Sequence, residues 1–169
     1  MPRIHVTDPG GKNVEAFLDM LALSEIGPAM LAASDDGYNV IVGSTPEQPI
    51  LLPTLPSGLP DYSHHPDEYE AAENSTAAGR YQILYRYAVA YQASLSLPDF
   101  SPVSQDLIAV QLIHEVGAYM GLLAGAWTQA VQRCASRWAS LPGSDYDQHE
   151  RTLSQLQGWY VKAGGRYLS

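Results

Sequence analysis

The chain has 169 residues, 46% of them hydrophobic, and a formal net charge of −9. That is enough apolar material to build a core, so disorder throughout is excluded, and the acidic balance leaves no basic face for a nucleic-acid partner. One cysteine, Cys134, excludes an internal disulfide and a multi-cysteine metal cage; among apolar neighbours it reads as a buried filler. No apolar run reaches the length of a membrane span, and the first residues lack the apolar stretch of a signal peptide, so the protein is expected to be held in the cytoplasm that makes it. The charge is uneven. Between Lys12 and Arg80 there are eleven acidic residues and no Lys or Arg, whereas residues 80–169 hold seven basic and six acidic side chains. An acidic first half raises the pKa of any carboxylate within it.

Residues 1–12 read as a loose lead-in, punctuated by Asp8-Pro-Gly-Gly11. Val14, Phe17, Leu18, Leu21 and Ala22 then recur at the spacing of one helical face, and the spacing predicts a helix over 13–25 that Gly27-Pro28 breaks. Glu25 falls at its C-terminus, where the helix dipole disfavours an ionised carboxylate. Residues 26–37 are expected to be a loop. Tyr38-Asn-Val-Ile-Val-Gly43 reads as a short strand, and Ile50-Leu-Leu52 as its hairpin partner. Half of the twelve prolines lie from Pro46 to Pro66, inside a long irregular stretch over 44–76. A loop of that length in a compact domain is functional or disordered.

From residue 77 the pattern becomes helical. Thr76 is the expected N-cap of a helix to about residue 95, carrying Tyr81, Tyr85, Tyr87 and Tyr91. Ser101-Pro102 opens a helix to about residue 117. A short helix over 120–124, another over 127–139 and a last one over 147–162 complete an α+β plan. A small β element would sit beside a helical lobe with a groove between them.

Few short motifs carry chemistry. Gly10-Gly-Lys-Asn13 lacks the leading glycine and the Ser or Thr of a phosphate loop. His114-Glu115 opens like a zinc-protease helix, but Ala118 stands where the second histidine is required. Asp61, His64, His65, Asp67 and Glu68 are metal-ligand types without the spacing that fixes a geometry, and read as a solvated loop.

Longer stretches say more. Phe17-Leu-Asp-Met-Leu-Ala-Leu-Ser-Glu25, Gly37-Tyr-Asn-Val-Ile-Val-Gly43 and Ser75-Thr-Ala-Ala-Gly-Arg-Tyr-Gln82 resemble the endolysins of the bacteriophage lambda type. Asp61-Tyr-Ser, His65-Pro66, Asp99-Phe-Ser-Pro102, Ser104-Gln-Asp106, Arg133-Cys134, Trp138-Ala-Ser-Leu-Pro-Gly143 and Ala163-Gly-Gly165 follow in the same order. The resemblance runs from about Phe17 to Gly165. It departs at Glu25-Ile26-Gly27, where these relatives usually have glycine directly after the glutamate, in the apolar stretch 28–36, and at 44–60, which reads as an insertion.

The resemblance implies a lysozyme-like α+β fold and a single catalytic domain over 1–169, with a Pro-rich loop at 44–66. It implies a lytic transglycosylase that cuts the β-1,4 bond between N-acetylmuramic acid and N-acetylglucosamine and leaves a 1,6-anhydro end. Glu25 would be the catalytic acid. Tyr38, Asn39, Ser75, Thr76, Gly79, Tyr81 and Gln82 would border the substrate, with residues 75–82 similar to the Gly-x-x-Gln element of other lytic transglycosylases. Arg80 would pair with an acid such as Glu73. No cofactor or metal is expected. The partners are peptidoglycan strands, with release through a holin, no insertion of the protein itself into the membrane, and a monomeric state. Two alternatives stay open: a hydrolase that adds water, with Asp35 or Asp36 as base, and a non-catalytic peptidoglycan-binding virion protein.

Overall fold

A computed structural model describes residues 1–144 and 151–168. Among the described residues there are six helices: α1 Gly11–Ala32, α2 Tyr85–Ser94, α3 Pro102–Glu115, α4 Tyr119–Leu123, α5 Trp127–Cys134 and α6 Leu153–Lys162. The chain divides into two compact units, one of Met1–Glu25 with Ala109–Ser169 and one of Ile26–Ile108. The boundaries fall inside α1 and α3.

The first unit is helical. Val14, Phe17, Leu18, Leu21 and Ala22, the stripe read from the sequence, are fully buried. So are Val131, Cys134 and Leu141 and, from α6, Leu156 and Tyr160. The indole Nε1 of Trp127 points at the Met20 sulfur at 3.4 Å, and its ring lies 5.8 Å from Tyr160. Asn13 ties the termini of the unit: its amide donates to the Leu122 carbonyl at 3.0 Å and its oxygen accepts from the Arg166 N–H at 2.8 Å. The lead-in is held rather than loose, because Glu15 accepts from the Val6 N–H at 3.0 Å and pairs with His5 at 2.7 Å. Burial pushes the Cys134 thiol up to about 12, which suits an inert filler.

Several helix boundaries differ from the sequence expectation. Helix α1 continues to Ala32 where a loop was expected. Gly27 takes a non-helical φ of 75°, and Pro28 then starts a second helical segment, the position where its missing N–H and fixed φ cost nothing. Helix α5 ends at Cys134, five residues before the expected stop. Helix α6 starts at Leu153 behind a capping box of Thr152 and Gln155, and the expected start at 147 lies outside the described residues.

The second unit pairs short extended segments without forming a sheet among the described residues. Val40 pairs antiparallel with Leu51, Ile41 with Ala78, and Ala78 with Ile83. The expected 38–43/50–52 hairpin is therefore reduced to one isolated bridge, with Ile41 N–H bonded to the Ile50 carbonyl and Leu52 N–H to the Asn39 carbonyl. Ile41, Val42, Leu52 and Ala77 form a small buried cluster under Tyr62 and Leu84.

The helix expected from Thr76 does not begin there. Residues 77–83 instead turn back on themselves: Gly79 has φ +79°, Gln82 has φ 46°, and Ala78 and Ile83 exchange both backbone bonds. Val42 N–H bonds to the Ala77 carbonyl and Gly79 N–H to the Val40 carbonyl. These long-range bonds outweigh the local helical pattern. Thr76 still serves a helix start at a distance, since its hydroxyl accepts from the N–H of Tyr85, the first residue of α2, at 3.2 Å.

His65 is not a solvated loop side chain. It is 2% exposed, lies 4.8 Å from the Phe100 ring, and its Nε2 donates to the Ile83 carbonyl at 2.8 Å. Among the described residues no three His, Cys, Asp or Glu side chains are grouped to hold a metal ion.

Candidate active site

Glu25 is half-buried at the last turn of α1 before the Gly27 kink. Its Oε1 accepts the Ser140 hydroxyl at 2.5 Å. Ser140 in turn lies 2.6 Å from the Ser24 hydroxyl, and Ser24 is almost wholly buried. Arg151 staples the two serine backbones: its Nε donates to the Ser24 carbonyl at 3.2 Å and its N–H to the Ser140 carbonyl at 2.9 Å. Glu25, Ser24, Ser140 and Arg151 all belong to the first compact unit.

Burial raises the Glu25 pKa to about 7, outweighing the opposing hydrogen bonds from Ser140 and the charge of Arg151. The sequence expectation had the right direction for different reasons, a helix end and an acidic half of the chain. The helix does not end there, and among the described residues it is removal from water, not neighbouring acids, that raises this carboxyl. A partly exposed acid with a pKa near neutrality can hold a proton at working pH and still reach a ligand.

The other expected site residues lie in the second unit, and most are structural here. The Tyr38 and Tyr81 side chains are 0% exposed, and both hydroxyls donate to one oxygen of Asp106, at 2.9 and 2.6 Å. The two rings meet edge to face at 6.5 Å. Burial is the first cause raising both phenols, so they remain protonated donors. Side-chain contact between these tyrosines and a sugar does not fit their burial; they frame the unit instead.

Arg80 is 1% exposed, lies 5.3 Å from the Tyr38 ring and pairs with the Asp36 carboxylate at 2.7 Å. Its partner is thus Asp36 rather than Glu73, and the same guanidinium also donates to the Asp36 carbonyl. Asn39 is buried, its oxygen accepting from the Asp35 N–H at 2.9 Å. Gly79 is needed for space: a Cβ there would lie 2.1 Å from the Gln105 side-chain carbonyl oxygen, which accepts from the Arg80 N–H.

Ser75, Thr76 and Gln82 are half-buried and retain accessible surface. The Ser75 hydroxyl accepts from the Ala77 N–H at 3.1 Å, and the Gln82 amide donates to the Gly79 carbonyl at 3.0 Å. That bond holds the Gln82 side chain over its own turn and uses its donor end.

Sequence reasoning assigned no role to Ser24, Ser140, Arg151, Gln105 or Asp106. Ser140 sits in the stretch 138–143 and Asp106 in 104–106, both of which carry the family resemblance, so the signal was present without a chemistry attached to it.

The endolysin family profile matches residues 15–167. The endolysin of Escherichia phage P2 is 42% identical over 162 residues, covering 91% of this chain and 94% of that protein. The endolysin of Escherichia phage lambda is 41% identical over 155 residues, covering 89% and 90%. Among solved structures, bacteriophage lambda lysozyme complexed with a chitohexasaccharide superposes with a TM-score of 0.81 at 40% identity, covering 93% of this chain and 97% of that one. A second structure of lysozyme from bacteriophage lambda gives a TM-score of 0.76. With a lysozyme-like fold and a family match over nearly all of its length, the chain belongs to the endolysin family.

Proposed function

We propose that this endolysin is a lytic transglycosylase acting on the β-1,4 MurNAc–GlcNAc bond of peptidoglycan, with Glu25 as its acid and then its base. The observation that carries the reading is a single half-buried carboxyl that burial holds near pKa 7. A relative solved with a chitohexasaccharide supports a glycan ligand.

The glycosidic oxygen is a poor leaving group until protonated, and Glu25 supplies the proton as the C1–O4 bond breaks. The 2-acetamido group steadies the oxocarbenium-like centre, so no second protein carboxylate is required. Glu25, now ionised, takes the proton of the sugar's own 6-hydroxyl as O6 closes on C1. The 1,6-anhydro ring forms, no water is consumed, and Glu25 regains its proton. Burial serves both halves: it raises the acid in the first step and strengthens the base in the second.

The hydrolase alternative needs a carboxylate able to activate water. Its two candidates are engaged, Asp36 with Arg80 at 2.7 Å and Asp35 as acceptor of the Tyr62 hydroxyl at 2.8 Å. Of the expected substrate-bordering set, the accessible Ser75, Thr76 and Gln82 are retained as sugar contacts, with the carbonyl end of Gln82 an acceptor for an acetamido N–H or a hydroxyl. Tyr38, Asn39, Gly79 and Tyr81 support them through the backbone turns they fix.

No helix of the described residues is long and apolar enough to cross a membrane. Holin-dependent release from the host cytoplasm, action as a monomer and service of the whole chain as one catalytic domain belong to the same proposal.

The test is the chemistry of the released ends. Muropeptides from purified peptidoglycan are expected to carry 1,6-anhydro ends that borohydride does not reduce, and Glu25→Gln to release none. Reducible ends from the wild type would replace the transglycosylase reading with a hydrolase one. Binding without products from either protein would favour the non-catalytic alternative.

A further inference from the structure

A carboxyl group that gives a proton and then takes one back works best with one of its oxygens held ready for the substrate. Around Glu25, hydrogen-bond direction provides this. A serine hydroxyl has one proton to donate. Ser140 is 2.5 Å from Glu25 Oε1 and 2.6 Å from Ser24 Oγ. If Ser140 donates to Glu25, Ser24 must donate to Ser140, and the two hydroxyls form one directed chain from Ser24 through Ser140 to Oε1. Oε1 is then occupied as an acceptor, and the acidic proton resides on Oε2.

The chain is anchored rather than adaptable. Ser24 is buried on α1, one residue before the acid. Arg151 holds the Ser24 and Ser140 carbonyls by side chain and backbone respectively. These bonds fix where the two serine backbones sit, and the hydroxyls are held by each other and by Glu25 Oε1.

We propose that Ser140, buttressed by Ser24, is the positioning residue that fixes which oxygen of Glu25 carries the catalytic proton. This rests on the assignment of Glu25 as the acid. In the ionised state the same hydroxyl stabilises the carboxylate, so Ser140 opposes burial and keeps the acid from becoming too weak to give up its proton at neutral pH. Among the described residues the charged group acting on Glu25 is Arg151, which is common to every variant below.

The experiment is the pH dependence of kcat and KM on purified peptidoglycan for the wild type, Ser140→Ala, Ser140→Thr, Ser24→Ala and Glu25→Gln. Ser140→Ala is expected to lower kcat by roughly ten- to a hundredfold with KM little changed, the cost of a misplaced reacting group. Its alkaline limb is expected at higher pH than that of the wild type. Ser140→Thr, which keeps the hydroxyl, restores both, and Ser24→Ala moves both in the same direction by less. A serine with a merely structural role would lower the active fraction without displacing the pH profile. An undisplaced alkaline limb with unchanged kcat in Ser140→Ala, beside an inactive Glu25→Gln, overturns the positioning role alone. An active Glu25→Gln overturns the acid assignment and this proposal with it.

Discussion

Glu25→Gln is expected to lower peptidoglycan turnover by roughly a thousandfold near pH 7, because the proposed general acid is removed while the side chain keeps its shape. Ser140 can still donate to the glutamine oxygen, so glycan binding should persist, and binding and turnover are to be measured on the same preparation. The same substitution has an opposite effect on stability. The folded-state pKa of Glu25 is raised from 4.5 to about 7, so the native state binds a proton more tightly than the unfolded chain. Its stabilising contribution is therefore full below about pH 4.5 and is lost as pH rises through 7. The substituted glutamine cannot ionise and loses nothing across that window. The variant should gain up to ~3 kcal/mol relative to wild type between about pH 4.5 and about pH 8, read from urea midpoints at the two pH values. A difference that stays flat with pH would show that burial does not raise this carboxyl. Loss of activity together with gain of stability is the expected mark of a site whose chemistry is held against the fold's own preference.

Asp106→Ala is expected to destabilise the protein by about 3–5 kcal/mol, a larger loss of stability than any other substitution named here should cause. Asp106 is fully buried on α3, and one of its oxygens accepts the hydroxyls of Tyr38 and Tyr81. Removing it leaves two buried phenols without that acceptor. Asp106→Asn, which retains an oxygen, should cost less, and Tyr81→Phe about 1 kcal/mol. Urea denaturation at neutral pH checks the series through the midpoint. A change below about 1 kcal/mol for Asp106→Ala would mean that water or another group replaces the carboxylate.

The apolar stripe from Val14 to Ala22 was legible because a helix buries one face at fixed spacing, and all five residues are buried. Glu25 stood out as the proposed acid through the stretch that resembles lambda-type endolysins, while the burial that raises its pKa is set by the fold. What escaped the sequence was set by distant partners. Residues 77–83 have a helical pattern, yet backbone bonds to Val40 and Val42, far back along the chain, pull them into a turn. The 26–37 segment holds Gly27-Pro28, a normal stop signal, but proline is also a good first residue, and the chain uses it so. Tyr38 and Tyr81 resembled substrate contacts, and only the position of Asp106 reveals where their hydroxyls go. Ser140 lies 115 residues from Glu25, and no local pattern marks a serine as the partner of an acid so far away in sequence.

The most direct measurement is the titration of the Glu25 carboxyl itself, by carbon NMR of selectively labelled protein, with Glu25→Gln to assign the signal. The account requires a midpoint near 7, so that the group is substantially protonated at neutral pH and can act first as acid and then as base. A midpoint near 4.5, that of an ordinary glutamate, would contradict it, since the carboxyl would then carry almost no proton to give where the proposed chemistry needs one.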